Sequence, residues 1–243
     1  MLITLFIDDA GPGPKMSTVV LCCNTLEDEI RRALDDTGLD YPVIWLEAGL
    51  HNQPERLRSR INEVLAGITD AGRVLMALGH CGGACAGLIN FDYELIIPKA
   101  DDCLSLLLGS MEKRQRVSRS CPTYFLTAGW LRHTENLITS FSRDCGFFGR
   151  EKAERVYRVM LKHYRRLGFI DTGAYDPAEE ESKISSLAGM VGLKTERLAG
   201  DLVWLKRLLT GPWDGGDFIV VKPRACLSSA AWNWLGGSAI LQL

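Results

Sequence analysis

"STVVLCCNTLEDEIRRALDDTGLDYPVIWLEAGL" (residues 17–50) decides the fold. A β-branched run over 17–23 stops at Asn24, which is placed to cap a helix, with Glu27 three residues further on. Leu26, Ile30 and Leu34 then recur at helical spacing, and Gly38 ends the pattern. Residues 41–50 return to strand composition. A strand, a helix and a strand in such quick succession imply a crossover connection, which sets the two strands parallel.

The alternation continues outward from this unit. Residues 53–68 carry Pro54 at a helix start and Leu57, Ile61, Val64, Leu65 and Ile68 on one face. Residues 73–79 and 93–99 read as strands, and 101–117 as a helix capped by Asp101. Further on, 123–130 reads as a strand, 149–168 as an amphipathic helix and 169–176 as a short strand and loop. Residues 194–211 read as another helix and 217–223 as a last strand. The pattern predicts an α/β fold: a parallel-sheet, Rossmann-like three-layer core over 17–120, with a second, smaller α/β lobe over 121–223. The linker candidate is "SRSCP" (118–122). Residues 1–16 read as a loose leader and 224–243 as an irregular tail.

Composition narrows the function classes. The chain has 243 residues, 47% hydrophobic and 24% charged, with a formal net charge of −2, which is ordinary for a globular protein. Its basic residues are scattered: Arg56, Arg58 and Arg60, and Lys113, Arg114 and Arg116, read as solvated helix faces rather than a nucleic-acid track. No stretch approaches the roughly 20 apolar residues of a membrane span. The first residues lack a basic region and a small-residue cleavage site, so the expected compartment is the cytoplasm. Eight cysteines there are not expected to form a disulfide framework.

Chemistry-bearing residues collect where strands end, which in an open parallel sheet is where ligands bind. Cys22 and Cys23 close the first strand, Cys81 follows the third and Cys103 the fourth. Neighbouring strands lie about 4.8 Å apart, so these loops can turn thiols toward one point, an arrangement suited to a soft metal or an iron–sulfur cluster. Which of Cys22 and Cys23 faces that point stays open, because adjacent strand residues point opposite ways. The helix after Cys103 would aim its positive end at the same place. Gly79, Gly82, Gly83 and Gly87 would let the backbone approach a bulky cofactor. His51 opens on this edge as a ligand or proton donor. Asp101 and Asp102 read as helix capping or as carboxylates that orient a ligand. Each residue also has a packing explanation: buried free cysteines behave as small hydrophobes, Cys85 reads as a further ligand or as core, and Trp130 and Trp213 read most simply as core or cap contacts. The glycine-rich segment lacks both the GxGxxG and the GK[ST] patterns, so a nucleotide-phosphate site is not expected.

Several segments resemble one family, the domain-of-unknown-function family 1638. They are "CNTLEDEI", "EAGLHNQPERLRSRI", "LGHCGGACAGL", "IIPKADDCLSLLLGS", "TYFLTAGW", "HYRRLGFIDTGAYD" and "GDLVWLKRLLTGPWDGGDFIVVKP". The family pattern has cysteine at the positions of Cys23, Cys81 and Cys103 and histidine at His51, so the resemblance selects Cys23 over Cys22. It departs at Asp102, where the family commonly has histidine, and Cys85 lies outside the usual pattern. Members are often encoded near corrinoid-dependent methyl-transfer proteins, which implies one-carbon metabolism and names no reaction.

The leading expectation is therefore a metal- or iron–sulfur-binding protein. Cys23, Cys81 and Cys103 are the ligands, one coordination position is open to a small-molecule substrate, and His51 handles a proton nearby. Gly79, Gly82, Gly83 and Asp102 line the cofactor. The partners expected are that substrate or a corrinoid protein, with an oligomer compatible and neither nucleic acid nor a membrane involved. Three alternatives stand beside it: a carrier or accessory protein that binds a corrinoid or another cofactor without turnover; a metal-free thiol enzyme with Cys81 as nucleophile and His51 as base; and a structural partner protein.

Overall fold

The computed structural model describes residues 17–88, 92–133, 135–227 and 229–235, so the expected leader lies outside the described residues. The first sheet is built by the alternation read above. Strand β1 (Thr18–Cys23) leads through a short 3-10 turn into α1 (Glu27–Thr37), which ends at left-handed Gly38. Then come β2 (Val43–Leu46), α2 (Pro54–Gly67), β3 (Arg73–Ala77) and β4 (Glu94–Pro98). The helix expected over 101–117 is two helices, α3 (Cys103–Leu108) and α4 (Met111–Ser120). Left-handed Gly109 breaks them, and the Ser110 hydroxyl caps the second by accepting from Lys113 N–H.

Beyond residue 120 the boundaries differ more. Strand β5 (Thr123–Leu126) stops early and α5 (Ala128–His133) takes up the rest of "TYFLTAGW". Two further helices form a hairpin, α6 (Leu137–Phe148) and α7 (Arg150–Met160). Strand β6 (Arg166–Asp171) begins inside the helix expected over 149–168. Next come α8 (Ala178–Val191) and β7 (Lys194–Ala199), and the helix expected over 194–211 survives only as α9 (Val203–Thr210). Strand β8 (Phe218–Val221) follows, and 3-10 turns over Ser229–Leu235 end the described chain.

The strands form two sheets. The first has the order β2-β1-β3-β4-β8, parallel except for β8, which runs antiparallel to β4. The second is the parallel set β5-β6-β7. The α/β, parallel-dominated Rossmann-like fold is thus present, and the last strand of the 121–223 segment joins the first sheet. Both faces of the first sheet are covered, so its strands read as continuous apolar runs: Val74, Leu75, Met76 and Ala77 are all fully buried. One core cluster spans both sheets, with Val20, Leu75 and Ile96 from the first packed in the same body as Phe125, Ile170 and Leu198 from the second. Successive strands β2 and β3 lie on opposite sides of β1. The chain order therefore reverses between β1 and β3, and in open α/β sheets a crevice forms at the carboxyl ends of such strands.

Among the described residues, no helix is long and apolar enough to cross a membrane. All eight cysteines are free thiols.

Candidate functional site

At the carboxyl end of β1, Cys22 and Cys23 separate as the pleat requires. Cys22 is fully buried, its thiol donating to the Ala77 and Cys23 carbonyl oxygens at 3.7 and 3.3 Å. Cys23 is half-buried, and the hydroxyl of buried Thr25 donates to its sulfur at 3.2 Å. Of the adjacent pair, Cys23 is the one that is partly exposed.

Beyond β3 the chain is stitched to the loop after β4. His80 N–H donates to Ala100 O at 2.8 Å and Cys81 N–H to Asp101 O at 2.9 Å. The crossing is so close that a Cβ on Gly79 would stand 2.5 Å from the Asp102 Cα. What Gly79 makes room for here is that backbone. Cys81 itself has φ +47°, a left-handed conformation that a side-chain-bearing residue adopts at a cost of order 1–3 kcal/mol. Gly82 and Gly83 continue the left-handed run, and the Gly83 carbonyl accepts from the Arg58 guanidinium at 2.8 Å.

Cys103 is the first residue of α3. Its N-cap is Asp102, which accepts from Leu104 and Ser105 N–H at 3.0 and 3.2 Å, rather than Asp101 as the sequence suggested. Asp101 instead accepts from the Ser105 hydroxyl and, like Asp102, pairs with Arg114. Burial pushes the Asp102 carboxyl up to about 6, opposed by Arg114 and reinforced by Asp101.

These loops bring Cys23, Cys81 and Cys103 into one electrostatic neighbourhood. Burial is the main reason all three thiols sit above their ordinary range, and neighbouring thiols would add to it: Cys85 first, then Cys103 and Cys23, act on Cys81, and Cys23 acts on Cys103. Asp102 raises Cys81 and Cys103 further. The thiols are therefore held as S–H until something positive replaces the proton. Among the described residues, no three His, Cys, Asp or Glu side chains are arranged to hold a metal ion.

The second lobe contributes to this site through α5, a contact between sheets that no local spacing in the sequence encodes. The indole N–H of Trp130 on α5 donates to the Cys103 sulfur and lowers its pKa. His51, in the turn after β2, stacks on the same indole with ring centroids 5.5 Å apart and planes 13° off parallel. Burial lowers the His51 pKa, so its imidazole is neutral at neutral pH. Helix α5 reaches this position because residue 129 is glycine: a Cβ there would fall inside the Thr25 carbonyl oxygen. The signal in the sequence is the "AG" ahead of "W", a packing constraint at Gly129.

The remaining candidates lie at the margin. Cys85 is core, fully buried and donating to Gly79 O at 3.1 Å. His80 packs against buried Trp232 of the carboxyl-terminal turns, ring centroids 4.6 Å apart. Its pKa is lowered by burial and by Arg58, with Asp101 pulling the other way. Trp213 caps its own loop by donating to Leu208 O at 2.9 Å.

A family model described as "Protein of unknown function (DUF1638)" matches residues 45–209. The matched stretch contains His51, Cys81, Cys103 and Trp130 and begins after Cys23. No curated protein and no solved structure matches the chain.

Proposed function

The chain belongs to the DUF1638 family, and on the geometry of its thiol edge we propose that Cys23, Cys81 and Cys103 bind an iron–sulfur cluster with one position open to a small-molecule substrate. What supports this reading is the placement of three half-buried thiols on three separate loops at the carboxyl edge of the first sheet, near its reversal point, where the charges of Cys23 and Cys103 would reach Cys81 and that of Cys23 would reach Cys103.

The reading favours a cluster over one zinc ion. Zn–S bonds of about 2.3 Å in a tetrahedron bring sulfurs to within about 3.8 Å of one another. A cluster of several irons would hold its thiolates further apart than that. Neutral, half-buried thiols fit a site that becomes charged only when metal displaces the protons. When bound, the cluster would supply redox or Lewis-acid chemistry at its open iron. The chain's own residues would do the rest. Trp130 N–H and Thr25 O–H hydrogen-bond two of the sulfurs, which tunes them, and the His51–Trp130 stack covers the Cys103 side. A redox or methyl-group role, corrinoid-linked, belongs to this proposal on the strength of the family resemblance.

The metal-free thiol enzyme has less support: no described hydrogen bond joins His51 or His80 to a thiol, and a raised pKa leaves Cys81 a poor nucleophile at neutral pH. Anaerobic iron and sulfide analysis tests the proposal, with wild type beside Cys23→Ser, Cys81→Ser, Cys103→Ser and Cys226→Ser as an exposed control. The expected result is about four irons per wild-type chain, as in a cubane cluster, loss in the first three variants and retention in the control. Iron-free wild type after anaerobic reconstitution would overturn it.

A further inference from the structure

Helix α7 carries an apolar stripe that nothing in the described chain covers. Val156, Val159 and Met160 are each more than half exposed, as are Phe147 and Phe148 where α6 meets α7. Lys152, Val156, Val159 and Met160 recur at helical spacings of three and four, so they share one face. The Lys152 ammonium lies 4.9 Å over the Phe148 ring, which joins the phenylalanine tip to the same face. The opposite face is spoken for: Ala153 and Tyr157 are buried, and Tyr157 donates to Asp144 at 3.0 Å. With eleven residues, α7 offers a stripe about 16 Å long. Isolated exposed apolar residues are ordinary, but a contiguous row of this kind marks a contact surface.

The charges beside the stripe say what fits it. Residues 137–165 carry seven Lys or Arg against three Asp or Glu, in a chain whose net charge is −2. Elsewhere cations are mostly paired, as Arg31, Arg32, Arg73, Arg114 and Lys206 are. Lys152, Arg155 and Lys162 are exposed and form no ion pair with any described acid. Of the three acids in this stretch, Asp144 accepts from Tyr157 and Glu154 pairs with Arg158, which leaves exposed Glu151 beside the three cations. From this we infer that the α6–α7 hairpin docks an acidic amphipathic helix of a partner protein. The partner's apolar face lies along Phe148, Val156, Val159 and Met160, and its carboxylates meet Lys152, Arg155 and Lys162. A second copy of this chain would bring like charges together, which opposes self-pairing.

Selection from a displayed library of short helical peptides tests this, run in parallel on wild type and on the charge-reversed Lys152→Glu/Arg155→Glu variant. Both substituted positions are exposed, and an unchanged melting temperature checks that the variant folds. Peptides enriched on wild type should carry apolar residues at i, i+3 or i+4 and i+7 with flanking Asp or Glu. They should bind the variant about tenfold or more weakly, and Val159→Asp should weaken them similarly. Enrichment of neutral or basic peptides, equal binding to the variant, or no enrichment at all would overturn the inference. So would dimerisation through this face in sedimentation, or binding to phosphatidylserine vesicles that Val159→Asp abolishes while no acidic peptide is enriched.

Discussion

At its carboxyl edge the first sheet presents sulfur, in Cys23, Cys81 and Cys103, whereas the edge of the second meets oxygen. Beyond β6, the Thr172 hydroxyl donates at 3.3 Å to Glu29, a carboxyl on α1 that is 1% exposed. Arg132 on α5 bridges Asp28 at 2.6 Å and Glu180 at 2.7 Å and lies over the Tyr175 ring. The two edges are held by different means. At the first, main-chain hydrogen bonds join the 79–81 and 100–102 loops, and the described guanidinium contacts of these loops go to the Gly83 carbonyl and to Asp101 and Asp102, which leaves the thiols outside any described ion pair. Side chains fix the second, where carboxylates and a guanidinium clasp the two lobes. The contrast teaches where reactivity is available: side chains committed to a clasp cannot also bind a ligand.

The comparison breaks most severely at the seam between the two edges. Gly129→Ala would drive a methyl group into the Thr25 carbonyl, displacing α5 and with it Trp130. A loss on the order of 3 kcal/mol is expected in urea unfolding. Unchanged stability would mean that α5 does not rest on the turn after β1.

Glu29 sharpens the contrast by pH. Burial raises its pKa to about 7, with Asp28 adding to the rise and Thr172 and Arg132 opposing it, and Oε2 has no hydrogen-bond partner. A carboxyl whose folded pKa lies above its unfolded value of about 4.5 holds its proton in the folded state, so stability falls as pH rises from about 4.5 to about 7. Glu29→Gln should therefore change little near pH 4.5 and stabilise by at most about 3 kcal/mol at pH 8. Thermal unfolding across that range reads the effect, and an equal change at both ends would remove Glu29 from this role.

Smaller effects are expected at the thiol edge. Trp130→Phe keeps a ring against His51 but removes the donor to Cys103, costing about 1 kcal/mol and raising the Cys103 pKa. The pH dependence of Cys103 alkylation measures the second effect. Smallest is Thr25→Val, which deletes the donor to Cys23 at nearly constant volume. It should cost about 0.5–1 kcal/mol and shift Cys23 alkylation to higher pH. A Cys23 profile that does not move would detach Thr25 from the site.

The legibility of the sequence divides along the same line as the chemistry. In the first sheet, buried strands make continuous apolar runs and helices carry clear stripes and stops, so β1 through β4 lie close to where periodicity sets them. In the second sheet, β7 is an exposed edge strand whose Lys194, Glu196 and Arg197 imitate a helix surface. Strand β6 begins with Arg166, which is buried only because it donates to the Thr123 hydroxyl and the Val117 carbonyl and pairs with Glu196. Neither strand can be seen without its partner. The site divides likewise. Cysteines at strand ends follow from chain order, but the contribution of Trp130 depends on how two sheets pack, and no local spacing encodes that.

The return of β8 to β4 has a consequence for any attempt to divide the chain. Residues 95–98 pair with 218–221, so the intervening segment is tethered at both ends, like an insertion in the first sheet. A fragment stopped after residue 120 would leave Leu95, Ile96 and Ile97 along a bare, sticky border. Such a fragment should associate with itself rather than stay monomeric.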